Sequence, residues 1–132
     1  MEVKDYMSTN LVTVEPNTTV MKALDLMKAH DVHRLPVVEG DKLVGLLTAE
    51  LVAQNSPSMA TSLSVHELNY LLNKTTAKDI MLKQVITVKP TAVLEEAASI
   101  MRQQGIGVLP VLESRGNLVG IITDKDIMDA FI

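Results

Sequence analysis

The residues best suited to chemistry lie near the end of the chain, in Gly120-Ile121-Ile122-Thr123-Asp124-Lys125-Asp126. The apolar run ending at Ile122 reads as a buried strand, and a helix is predicted to begin around Asp124. The first N–H groups of a helix lack intrahelical partners, so a phosphate is attracted there. Thr123 can cap such a helix and still offer its hydroxyl to a phosphate oxygen. Asp126 stands one turn in, where its carboxylate could accept from two adjacent hydroxyls, the arrangement a ribose diol presents. Gly120 would let a ligand or a second backbone approach closely. The same spacing is also an ordinary S/T-x-x-D helix start, in which Asp126 serves only the cap and the helix dipole. The motif alone leaves both readings open.

His33-Arg34 is the second cluster. Two basic groups just before a strand suit a phosphate tail. Equally, Arg34 can be a surface strand residue paired with a nearby carboxylate. His30, His33 and His66 lack metal-ligand spacing, because the helix carrying His30 should end before His33. There is no cysteine, which removes thiolate zinc sites and cysteine nucleophiles. Asp124 and Asp126 should point to different faces of the helix start. No base, nucleophile or glycine-rich phosphate loop accompanies them, so neither an enzyme nor a metal site is expected.

Composition narrows the partners. The net charge is −4 and the only aromatic residues are Tyr6, Tyr70 and Phe131. Nucleic-acid binding needs a basic face or stacking rings, and neither is expected. No apolar run approaches membrane-spanning length, and Met1-Glu2-Val3-Lys4-Asp5 shows no signal-peptide core. With no cysteine to oxidise, a cytoplasmic location is the expectation. Apolar residues make up 47% of the chain, so a core must be built from Val, Leu, Ile, Met and Ala.

The elements that would position these residues occur twice. Val3-Lys4-Asp5-Tyr6-Met7 resembles Ala77-Lys78-Asp79-Ile80-Met81 at an offset of 74 residues, Asp5 to Asp79. The same offset matches Thr13-Val14 with Thr87-Val88, Pro16 with Pro90, and Leu35-Pro36-Val37 with Leu109-Pro110-Val111. Gly116 then adds one residue, and Leu43-Val44-Gly45 and Thr48 match Leu118-Val119-Gly120 and Thr123.

Each copy reads as β-α-β-β-α. A strand over Leu11–Val14 or Val85–Val88 is closed by Pro16 or Pro90. A helix follows with Val20, Ala23, Leu24 and Met27, or Leu94, Ala97, Ala98 and Met101, on one face. Thr18 or Thr19, and Thr91, are the expected N-caps; His30-Asp31 and Gly105 are the expected ends. Strands Arg34–Val38 and Leu43–Leu47, and Val108–Leu112 and Leu118–Ile122, form hairpins, each followed by a second helix. The fold class is therefore α/β (α+β). The first repeat covers residues 1–53, a linker with a short helix covers 54–76, and the second repeat covers 77–132. Asn55-Ser56-Pro57-Ser58 marks a turn, and Ser64-Val65-His66-Glu67 starts the linker helix. One copy is small for independent folding, so pseudo-twofold packing with a cleft on either side is expected.

The duplicated strand–Pro–helix–Leu-Pro-Val–strand–Leu-Val-Gly-x-x-Thr pattern resembles the cystathionine β-synthase (CBS) domain pair, or Bateman module, from Val3 to Ile132. The linker running from Ser56 into Glu67-Leu68-Asn69-Tyr70-Leu71-Leu72 further resembles the acetoin-utilisation type, whose members often carry a C-terminal ACT domain. The resemblance implies a cleft for an adenosyl ligand: AMP, ADP, ATP, S-adenosylmethionine or cyclic di-AMP. It implies that Thr123 and Asp126, with Gly120, hold ribose and phosphate, joined by His33 and Arg34. Leu11, Val12, Thr13, Val32, His33, Leu35 and Pro36 would surround the adenine.

The related site, bounded by Thr48, Ile86, Thr87, Gly107, Val108 and Pro110, is expected to be degenerate. It has Leu51 where the other has Asp126, and leucine cannot accept from ribose hydroxyls. The resulting expectation is a regulatory, non-enzymatic sensor with no required cofactor. His33-Arg34 tilts it towards a phosphorylated ligand. Its expected partners are a second copy, forming a homodimer, and a regulated protein or ACT domain. The alternative is a ligand-free structural or dimerisation module.

Overall fold

The computed structural model describes residues 1–55 and 64–132. The predicted turn beyond Asn55 and the linker residues 56–63 lie outside them. The described chain runs α1 (Val20–His30), β1 (Arg34–Glu39), β2 (Lys42–Thr48), α2 (Ala49–Asn55), α3 (Val65–Lys74), α4 (Ala77–Ile80), α5 (Leu94–Gln104), β3 (Val108–Leu112), β4 (Leu118–Thr123) and α6 (Asp124–Asp129), with a 3-10 turn at Val3–Asp5. The fold is mixed helix and strand with two small sheets, β1-β2 and β3-β4. Packing divides the chain into two compact units. The first is Met1–Leu11, Asp41–Leu43 and Val85–Ile132; the second is Val12–Gly40 and Val44–Gln84.

In the first unit β3 and β4 pair antiparallel, with Val108 opposite Thr123 and Val111 opposite Gly120. The turn between them closes on Gly116, at φ 84°, a conformation costly for residues with a Cβ. α5 presents Leu94, Ala97 and Met101 to Leu109, Val111 and Ile122 of the sheet, and Val3 and Ile127 complete the core. Leu109 and Ile122 are fully buried. Gly105, at φ 67°, ends α5 in the left-handed cap the sequence predicts. The second unit repeats the plan. α1 buries Val20, Ala23 and Met27 against Leu35, Val37 and Leu47. Here Asp31, at φ 53°, makes the left-handed cap.

The first strand of each copy is shorter than the sequence predicts. Only Val14 and Val88 pair, each in a single parallel bridge, to Val37 and Val111. Val14 N–H donates to the Pro36 carbonyl at 3.0 Å, and Val38 N–H donates to the Val14 carbonyl at 2.9 Å. The next rung towards Val12 would need an N–H from residue 36, and proline has none. Pro110 stops the ladder from Val88 in the same way. The Leu-Pro-Val signature that marks the repeat therefore also limits its sheet.

The N-caps differ from expectation in one copy. Thr19 caps α1, its hydroxyl accepting from Lys22 N–H at 3.2 Å. Thr91 does not cap α5; Val93 occupies that place without a side-chain bond. The N–H that a cap side chain would take, that of Glu96, donates to the Val93 carbonyl at 3.1 Å instead.

The linker helix forms from Val65, with Ser64 accepting from Glu67 N–H at 3.2 Å. The short helix α4 was not anticipated. Thr76 N–H and hydroxyl both donate to Asp79 Oδ2, at 2.8 and 2.9 Å. Those bonds, the backbone one foremost, hold the Asp79 carboxyl below the usual carboxylate range.

Candidate functional site

Strand β4 carries the candidate residues to the head of α6. Gly120 is buried beneath the opening segment of the chain. A Cβ at residue 120 would collide with Met7 Sδ and lie 3.1 Å from the Ser8 carbonyl oxygen. Ser8 and Ile121 exchange N–H···O bonds of 2.8 and 3.0 Å beside it. Gly120 thus admits the protein's own Met7. The second unit has the same joint: Met81 Sδ sits over Gly45, and Leu82 exchanges bonds of 2.9 Å with Leu46.

The head of α6 is closed by its own groups. Thr123 N–H donates to Asp126 Oδ2 at 2.9 Å, and Asp126 N–H donates to Thr123 Oγ1 at 3.2 Å. This is a reciprocal capping box. Asp124 N–H donates to the Gly107 carbonyl at 2.9 Å, and Lys125 N–H donates to Asp124 Oδ1 at 2.8 Å. All four N–H groups from Thr123 to Asp126 are engaged. The expectation of unpaired N–H groups ready for a phosphate is corrected here. Asp126 and Thr123 are half-buried. Among the described residues, none donates a hydrogen bond to Asp126 Oδ1. The head of α6 therefore offers carboxylate acceptors, which suit hydroxyl donors better than phosphate oxygens.

The corresponding head of α2 keeps half of this arrangement. Leu51 N–H donates to Thr48 Oγ1 at 3.0 Å, and Ala49 N–H donates to the His33 carbonyl at 2.8 Å. Leu51 supplies no carboxylate for the Thr48 N–H, and Ala49 supplies none for that of Glu50.

Asp124 opens α6 beside Gly107. A Cβ at residue 107 would lie 2.9 Å from Asp124 Oδ2, closer than side chains pack. A side chain at residue 107 would therefore shift the Asp124 carboxylate, while the equivalent His33 and Ala49 are joined through the backbone bond at 2.8 Å.

The remaining candidates divide by burial. Leu11, Val12, Thr13 and Val32 are half-buried, whereas Leu35 and Pro36 are fully buried, Leu35 in the core of the second unit. Any contact with a base at Leu35 and Pro36 falls to their backbone. His33 and Arg34 are exposed, and among the described residues Arg34 has no ion pair. Thr48, Thr87 and Gly107 are half-buried, Ile86 is exposed, and Val108 and Pro110 are buried. Thr87 also borders an open groove of about 710 Å³ in the first unit, with Lys89, Glu96 and Glu113. No described helix is long and apolar enough to cross a membrane.

The family model for the CBS domain matches residues 3–54 and 77–132. The chain belongs to the CBS domain family. Its two matched segments make it a CBS pair, and solved CBS pairs resemble it over almost its whole length. A Vibrio cholerae structure described as an acetoin utilization protein, AcuB, is 33% identical, with 99% of this chain and 90% of that one aligned and a TM-score of 0.79. The CBS pair of protein MJ0100, solved with 5′-methylthioadenosine and S-adenosyl-L-methionine, is 29% identical over 99% of this chain and 95% of that one, with a TM-score of 0.79. CBSX2, of Arabidopsis thaliana and solved with AMP, is 29% identical over 98% and 95%, with a TM-score of 0.80. The family resemblance and the fold class read from the sequence are thereby confirmed.

Proposed function

We propose that this CBS pair is a regulatory module that binds an adenosyl ligand through its ribose, with Asp126 and Thr123 as the sugar contacts. The observation that carries the reading is the half-buried Asp126 carboxylate. One oxygen is fixed by the cap and the other is open to a donor. Similar CBS pairs solved with AMP and with S-adenosyl-L-methionine support the adenosyl class. Gly120 serves by placing β4 against the opening segment. His33 and Arg34 are the proposed contacts for a phosphate where the ligand has one. The Thr48 position is proposed to bind weakly, because Leu51 offers no acceptor. The chain is proposed to act without catalysis, as a homodimer. Binding regulates a partner only to the extent that the ligand prefers one arrangement of the pair.

The capping box favours a second reading. Asp126 is already useful as a helix cap, so a ligand-free dimerisation module accounts for its position without any nucleotide. Thermal melting with AMP and with S-adenosylmethionine separates the two, because a ligand that binds only the folded chain raises its melting temperature. The adenosyl reading predicts a rise with at least one of them, lost in Asp126→Ala. No rise with either leaves the dimerisation module.

A further inference from the structure

We propose that Met7 and Met81 are paired modification sites: a peroxide oxidises their thioethers, and each sulfoxide undoes the joint that its sulfur makes. Neither residue belongs to the proposed ribose contacts. In the first unit a Cβ at residue 120 would collide with Met7 Sδ and lie 2.9 Å from Met7 Cγ, so the thioether fills the hollow that glycine leaves. In the second unit Met81 sits on Gly45 in the same way, with its Cγ also at 2.9 Å. Each side chain packs against the core of its own unit. Both are half-buried, so solvent reaches them.

The surroundings suit a thioether and not a sulfoxide. A sulfoxide oxygen is a polar acceptor and needs a donor or water. Around Met7 the N–H groups are already given away: Met7 to the Val3 carbonyl at 2.9 Å, Ser8 to Ile121 at 2.8 Å, and Ile121 back to Ser8 at 3.0 Å. The same three bonds recur around Met81, from Met81 to Ala77 at 2.8 Å and between Leu82 and Leu46 at 2.9 Å each way. The Ser8 and Leu82 carbonyl oxygens beside the glycines are further acceptors and offer no proton. The new oxygen finds a partner only in water, so the side chain must swing out and leave the glycine uncovered. With hydrogen peroxide the O–O bond breaks, an S–O bond forms on the sulfur lone pair, and water leaves. Sulfur loses two electrons and the peroxide gains them.

Hydrogen peroxide treatment of the full chain, followed over time by peptide mass mapping and thermal melting, tests the proposal. Sulfoxide at residues 7 and 81 should form after that at the exposed Met1 and Met128 and before that at the buried Met27 and Met101. The melting temperature should hold through the first stage and fall by about 5–10 °C in the second. Methionine sulfoxide reductases for both epimers should restore it. The Met7→Leu/Met81→Leu double variant, close to wild type in volume, should keep its melting temperature through the second stage. Should leucine itself loosen the joints, the wild-type time course still decides, because the fall must follow sulfoxide at residues 7 and 81. Three results overturn the proposal: residues 7 and 81 oxidised no faster than Met27 and Met101, both sulfoxides formed without a fall, or an equal fall in the double variant.

Discussion

The heads of α6 and α2 share one backbone plan and differ in two side chains. In each, a strand-end threonine accepts the N–H of the third helical residue, at 3.2 Å for Thr123 and 3.0 Å for Thr48. In each, the first helical N–H donates to the carbonyl before the hairpin, at 2.9 Å to Gly107 and 2.8 Å to His33. Asp124 and Asp126 stand at one head, Ala49 and Leu51 at the other. Duplication has kept the scaffold because backbone bonds and buried apolar residues maintain it. The proposed ligand chemistry rests instead on carboxylates, which stand at the α6 head and are replaced by Ala49 and Leu51 at the other.

The largest expected effect breaks the comparison at its most asymmetric point. Asp126→Ala should weaken adenosyl binding by about 1.5–3 kcal/mol, the range for a hydrogen bond to a charged group. Leu51→Ala should leave that affinity unchanged, and titration of both variants checks it. The capping box means that Asp126→Ala also removes an acceptor for Thr123 N–H, so a stability loss of about 1 kcal/mol is expected alongside. Next come the shared joints. Gly120→Ala and Gly45→Ala should each destabilise by about 1–3 kcal/mol, because the added methyl meets a methionine sulfur and a backbone carbonyl in both. Denaturant melts should show similar losses, and a large inequality would break the structural half of the comparison.

How much of this was legible in the sequence depends on the kind of interaction. The repeat, α1, α5 and both hairpins were visible because burial imposes a period: Val20, Ala23 and Met27, or Leu94, Ala97 and Met101, can only be one helix face. The single-bridge first strands were not, because β-branched residues at Val12–Val14 announced a strand whose neighbour, Pro36, lacks the donor to extend it. α4 was missed because four residues are too few to show a period. At α6 the residues were read correctly as a helix start. Sequence does not show that four N–H groups find partners within the chain, since the Gly107 carbonyl arrives from a distant element.

Two smaller effects sharpen the comparison. Thr123→Val and Thr48→Val should each cost about 1 kcal/mol in stability, since both hydroxyls accept one helix N–H. The smallest concerns Asp79, whose carboxyl accepts from Thr76 in one repeat, while in the other Asp5 has Glu2 in the place of Thr76. Its folded pKa is depressed below the ordinary 3.8. The stabilisation is therefore present above 3.8 and is lost as pH falls through the lower folded value. The stability gap between wild type and Asp79→Ala should shrink on acidification below 3.8, in melts across that range.

Whether the Asp126 carboxylate grips a sugar diol is read out by a titration cycle: adenosine and 2′,3′-dideoxyadenosine, each into wild type and Asp126→Ala. Wild type should prefer adenosine by about tenfold or more, and the variant should lose this preference. Equal binding of the two ligands by wild type, or a preference that survives in the variant, would contradict it.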